Sequence, residues 1–94
     1  MDKYRFKIYL VEKSPGSQDL INRITSLFNR KLRNNYSLEI IDIIKNPEVA
    51  VKNDILASPT LLKEHPLPSQ RIIGNIKDEK TLITMLNLAN TDDI

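Results

Sequence analysis

Polar and apolar residues alternate from Tyr4 to Val11, with Phe6, Ile8 and Leu10 on one face and Arg5 and Lys7 on the other. A period of two marks a strand with one buried side. The period then lengthens: Leu20, Ile21, Ile24, Leu27, Phe28 and Leu32 form a single apolar stripe along a helix. Between them Ser14-Pro15-Gly16-Ser17 reads as a turn, with Ser14 or Ser17 expected to cap that helix. Arg30, Lys31 and Arg33 suit the negative end of the helix dipole, and Asn34-Asn35 is expected to stop it. Tyr36 to Ile44 is rich in β-branched residues, with Leu38 and Ile40 on one face and Ile41 and Ile43 on the other. A strand buried on both sides is expected to be central and parallel to the first. Such a strand–helix–strand unit crosses over right-handed.

The second half carries weaker periodicity. Asn46-Pro47-Glu48 predicts a helix start, with Asn as cap and Pro in the first turn. Val49, Val51 and Ile55 are its apolar anchors besides Ala50, so the helix is short. Thr60 to Lys63 and Arg71 to Gly74 read as strands, separated by the stiff loop His65-Pro66-Leu67-Pro68. Asp78-Glu79 opens a last helix with the stripe Leu82, Met85, Leu86 and Ala89, weakened by β-branched Thr81, Ile83 and Thr84. The order β-α-β-(α)-β-β-α predicts an α/β fold: a single thioredoxin-like domain over residues 1–94 with a mixed four-stranded sheet. Pro59, directly before the third strand, cannot donate to a ladder and must shape the strand entry.

Composition narrows the chemistry. The 94 residues contain no Cys, 14 Lys+Arg and 12 Asp+Glu. Without thiols there is no disulfide, no thiolate catalysis and no Cys–Zn site. A net charge of +2 gives no reason to expect nucleic acid or a membrane surface as the partner. No apolar run reaches the length of a membrane span and no leader pattern opens the chain, so a cytoplasmic location is expected. His65 is the single histidine, too isolated for a metal site or a serine-activating base. The two glycines make no phosphate loop. Ser14 and Ser17 are explained by capping, the cluster Arg23, Arg30, Lys31 and Arg33 by a solvated helix end, and Tyr4, Tyr9 and Tyr36 by packing on the sheet. The expectation is a binding protein rather than an enzyme, with no catalytic residue, cofactor or metal.

Four ordered runs sharpen this: Lys7-Ile8-Tyr9-Leu10-Val11, Ile41-Asp42-Ile43-Ile44-Lys45-Asn46-Pro47, Ile55-Leu56-Ala57-Ser58-Pro59-Thr60-Leu61 and Arg71-Ile72-Ile73-Gly74. With them the chain resembles the KaiB family, whose members carry close equivalents in the same order and at nearly the same spacing. The resemblance implies a non-enzymatic adaptor that docks on a KaiC-type hexameric ATPase and modulates its phosphorylation in circadian regulation. It also implies KaiA-like or histidine-kinase partners, and self-association to a dimer or tetramer. Residues 46–94 are implied to be able to switch fold. Lys45, Asn46, Pro47, Ala50, Lys63 and Arg71 match the family's partner-facing pattern, and Ser58–Pro59 is expected to be cis in the thioredoxin-like form. Glu39, Asp54, Gln70 and Asn75 depart from the pattern and make the dock less basic. The alternative is therefore a relative outside a clock, acting in stress adaptation through another protein.

Overall fold

A computed structural model of the chain describes residues 3–74 and 78–88. Its elements run β1 (Tyr4–Leu10), α1 (Ser17–Leu32), β2 (Tyr36–Asp42), α2 (Pro47–Lys52), β3 (Thr60–His65), β4 (Gln70–Ile73) and α3 (Glu79–Met85). The four strands form one sheet in the order β2-β1-β3-β4. β1 pairs parallel to β2, with Phe6 opposite Leu38 and Ile8 opposite Ile40. It pairs antiparallel to β3, and β3 pairs antiparallel to β4. The sheet is mixed, as the order of elements predicts.

β1, not β2, is the central strand. Phe6, Ile8 and Leu10 are buried among Leu20, Ile24, Leu27 and Phe28 of α1, Leu61 of β3, Leu82 of α3 and Leu86 just after it. The Phe6 and Phe28 rings stack at 4.1 Å, and Phe28 meets Tyr36 edge-on at 5.4 Å, geometries in which ring quadrupoles add to area burial. Tyr9 and Ile41 face the other way and are also buried. β2 is parallel to β1 as expected, but it is an edge: Ile40 is 40% exposed and Ile44, beyond the strand's end, 68%. Its β-branched run mimicked a doubly buried strand because hydrophobicity at an edge and at the centre reads alike.

The helix ends also differ from expectation. α1 begins behind Gly16, whose φ of 86° places it in the left-handed region, and neither serine caps the helix. The Ser17 hydroxyl instead donates to the Val11 carbonyl at 2.6 Å, tying the helix start to the end of β1. Arg33, with φ 56°, ends α1 ahead of the two asparagines. α3 follows its predicted start more closely. The Asp78 carboxylate accepts from the Lys80 N–H at 3.0 Å and the Thr81 hydroxyl at 2.8 Å. At the other end Asn87 has φ 52°, with Leu88 N–H donating to Ile83 O and Asn87 N–H to Thr84 O. This left-handed cap closes the last turn and buries Leu88. Leu82 and Leu86 are buried as the stripe requires, Met85 is 46% exposed, and Ala89 lies outside the described residues.

The Thr81 hydroxyl and the Lys80 N–H hold the Asp78 carboxyl below its ordinary value of 3.8. A carboxyl lowered by folding contributes stability above its unfolded pKa and loses it as pH falls through the folded one. The backbone amides of α3 are therefore expected to lose exchange protection in acid, below about pH 4, before those of β1 and β3. Amide hydrogen exchange followed by NMR across an acid titration checks this.

Candidate docking surface

The segment after β2 is built by Asp42. Its buried carboxylate accepts from the Ile44 N–H at 2.9 Å, and its carbonyl takes both the Asn46 N–H and the Asn46 side-chain amide at 3.0 Å. Asn46 thus flanks α2 without capping it; its side chain is turned back onto the preceding turn. Pro47 enters the first helical turn, where a missing N–H costs nothing. The helix closes through Asp54, with φ 55°, as Ile55 N–H reaches Ala50 O at 2.9 Å and Asp54 N–H reaches Val51 O at 3.2 Å. Asp54 is thus the left-handed residue that ends α2.

Arg71 locks this end to the sheet. It projects from β4 opposite Leu62, on the face away from the main core, and its guanidinium donates to the Asp54 carbonyl at 2.9 Å and the Asn53 carbonyl at 3.0 Å. A forked cation across the last carbonyls of a helix satisfies orphan acceptors and complements the dipole. Arg71 therefore positions α2, whatever else it touches.

No residue of α2 is buried. Val51 is 78% exposed, so it points outward instead of anchoring the helix; Val49 and Ala50 are half-buried. Leu56, in the loop before Pro59, is 92% exposed, and Ile44, in the segment before α2, is exposed as well. Three large apolar side chains, one on this short helix and one in each segment flanking it, are thus left bare, and Lys45, Lys52 and Glu48 on the same stretch are exposed too. Sequence reasoning missed Ile44, Val51 and Leu56 because each looks like a core residue. The one available signal was the adjacency of Val49-Ala50-Val51, which no single helical face can bury together.

Of the matched residues, Lys45 and Pro47 are exposed and Asn46 and Ala50 half-buried on or beside α2, with Arg71 clamping its end. Lys63 is elsewhere. It lies on the core side of β3 opposite Phe6, 1% exposed, with its ammonium donating to the Leu86 carbonyl at 2.8 Å. In this packing it cannot present its charge to a partner, because the long stem runs inward beneath α3. The Ser58–Pro59 peptide is cis, as are His65–Pro66 and Leu67–Pro68. Glu39 is exposed on β2, Gln70 half-buried on β4, and Asn75 outside the described residues.

A concavity of 300 Å³ lies between the end of β1, the start of α1 and Pro59, lined by Val11, Ser14, Ser17, Leu20 and Arg23 among others. It holds no nucleophile–base pair: Ser17 donates to a backbone carbonyl, and Arg23 pairs with Asp19 at 3.2 Å.

The KaiB domain family matches residues 7–88. The chain belongs to the KaiB family. It is 35% identical over 85 residues to the circadian clock oscillator protein KaiB of Synechococcus elongatus, covering 90% of this chain and 83% of that one. The KaiB of Prochlorococcus marinus strain MIT 9303 is also 35% identical, with 90% and 71% covered. Among solved structures, the N-terminal domain of Synechococcus elongatus SasA superposes with a TM-score of 0.73 at 20% identity, over 92% of this chain and 81% of that one. Mitochondrial thioredoxin 3 of Saccharomyces cerevisiae gives 0.70 at 14% identity, over 93% and 79%. The fold of this KaiB-family chain is thus thioredoxin-like.

Replacing Arg71 by Met keeps the stem and removes both carbonyl bonds. The expected loss is about 1 kcal/mol, given that water can reach the freed carbonyls. Amide exchange should quicken at Asp54 and Ile55 with Leu61 unchanged, measured by NMR.

Proposed function

We propose that this KaiB-family chain is a non-enzymatic clock adaptor that docks through α2 and its apolar surround onto a KaiC-type hexameric ATPase and modulates its phosphorylation state. The observation that carries the reading is the bare helix: α2 has no buried residue while Ile44, Val51 and Leu56 are exposed beside it. Large apolar side chains left exposed among charged ones are what a protein interface uses, with most binding energy in a few anchors. Lys45 and Lys52 add a basic rim, which governs approach more than affinity. The relatives named as circadian clock oscillator proteins support a clock role, and with it a partner of the clock system.

KaiA-like or histidine-kinase proteins are the further partners of this reading, and dimers or tetramers its self-associated forms. Residues 46–94 are the part proposed to refold. Two packings of one sequence coexist when they differ by only a few kcal/mol, and a minor binding form lowers apparent affinity by its population. A cytoplasmic location accompanies the role; among the described residues no helix is long and apolar enough to cross a membrane. The second reading keeps the surface and changes the partner: Glu39, Glu48 and Asp54 dilute the basic rim, which suits a KaiB-family protein acting in stress adaptation.

The test is binding to the KaiC-type ATPase of the same organism in the presence of ATP. The full chain should bind, and Val51→Asp should weaken binding by about tenfold or more, equivalent to at least about 1.4 kcal/mol, with an unchanged melting temperature. Absence of binding by the unaltered chain contradicts the clock reading. Capture of a different protein that is equally sensitive to Val51→Asp favours the second.

A further inference from the structure

Lys63 is 1% exposed, yet among the described residues its ammonium has one hydrogen-bond partner, the Leu86 carbonyl, and no carboxylate. An ammonium donates three hydrogen bonds in water, so this burial leaves solvation unreplaced. Directly across the β3–β4 ladder stands Gln70, whose buried side-chain oxygen has no hydrogen-bond partner. The two residues share a face, and both imperfectly satisfied groups lie on the side of the sheet that packs against α3. The acidic groups at the start of α3 are engaged elsewhere: Glu79 with Arg30 of α1, and Asp78 with the first turn of α3. Lys7 and Glu64 pair on the opposite face of the sheet at 3.3 Å. The buried Tyr4 hydroxyl-bearing ring is the titratable group of β1 on the core face.

α3 itself is weakly self-sufficient. It has seven residues, too few to be stable as an isolated helix, and three of its residues, Thr81, Ile83 and Thr84, are β-branched. It is held by Leu82, Leu86 and Leu88 in the core, by the exposed Arg30–Glu79 pair, and by Lys63 at its C-terminal carbonyl.

We propose that Lys63 is a concealed amine gated by α3, which lifts off as a unit while the sheet stays folded and so turns a buried lysine into an accessible one. The uncovered face of the sheet then presents the Lys63 amine beside the Gln70 side chain. The proposal concerns local opening of one helix and stands without the docking partner.

The test is brief acetylation of the full chain with an amine-acylating reagent, read residue by residue by mass spectrometry. Burial pushes the Lys63 amine below the ordinary lysine value of 10.5. A slow reaction at Lys63 would therefore report concealment rather than protonation. Lys63 should label about tenfold or more slowly than the exposed Lys45 and Lys52. Glu79→Gln, which removes an exposed clip, should speed labelling of Lys63 by up to about fivefold. Leu82→Ala should speed it further, with the backbone amides of Ile8 and Leu61 still protected from exchange. Labelling of Lys63 at the rate of Lys45 in the unaltered chain overturns the proposal. So does acceleration in Leu82→Ala that occurs only together with loss of Ile8 and Leu61 protection, or no acceleration in either variant.

Discussion

β1 is bonded on both edges, to β2 on one side and β3 on the other; one face is buried along its length, and on the other Tyr9 is buried while Arg5 is exposed and Lys7 half-buried. Phe6, Ile8 and Leu10 hold α1 and α3, and Tyr9 fills the opposite face. A strand in that position fixes the register of its neighbours, because a slip of one residue would exchange Phe6 and Ile8 for Arg5 and Lys7 in the core. The two faces then diverge in character. The α1 side is a continuous apolar core with stacked rings. The other side is closed by short-range devices: the Asp42 turn, the left-handed Asp54 and the Arg71 fork. Each of these is a local hydrogen-bond arrangement rather than a broad buried surface, and each lies at or next to α2.

That asymmetry explains how one helix can be held in place and still be bare. Arg71 and the helix-ending bonds fix the C-terminal end of α2, Asp42 fixes the turn before it, and burial is left out. A helix positioned by its ends keeps its apolar side chains available. The fold thereby supplies a preorganised surface, which reduces the ordering cost of association. α3 is organised the other way, held by buried leucines but set over an ammonium that donates to the Leu86 carbonyl.

Much of the fold was legible in the chain. The period-two run at Tyr4–Leu10, the stripe from Leu20 to Leu32, and the Asn-Pro-Glu and Asp-Glu helix starts all mark elements that form. What was hidden were properties set by tertiary neighbours. Ile40 and Ile41 do not reveal whether a strand is central or at an edge, since that depends on β3 pairing with β1 rather than β2. Ser17 looked like a cap because its type favours one, but the Val11 carbonyl was the nearer acceptor. Four of the matched surface positions lie on or beside α2 and Arg71 clamps it, whereas Lys63 is swallowed by the core; a lysine in a strand gives no local sign of which face it will occupy. Val51 and Leu56 were invisible for the converse reason, since an apolar residue left exposed looks in sequence like one that is buried.

The most direct measurement is NMR mapping of the labelled chain as the unlabelled KaiC-type ATPase is added with ATP. Selective loss of signal from Ile44, Lys45, Val51 and Leu56, with the outer surface of α1 around Asn22 and Thr25 unaffected, is the predicted result. Loss centred on that α1 surface, with the α2 residues unchanged, would contradict the account.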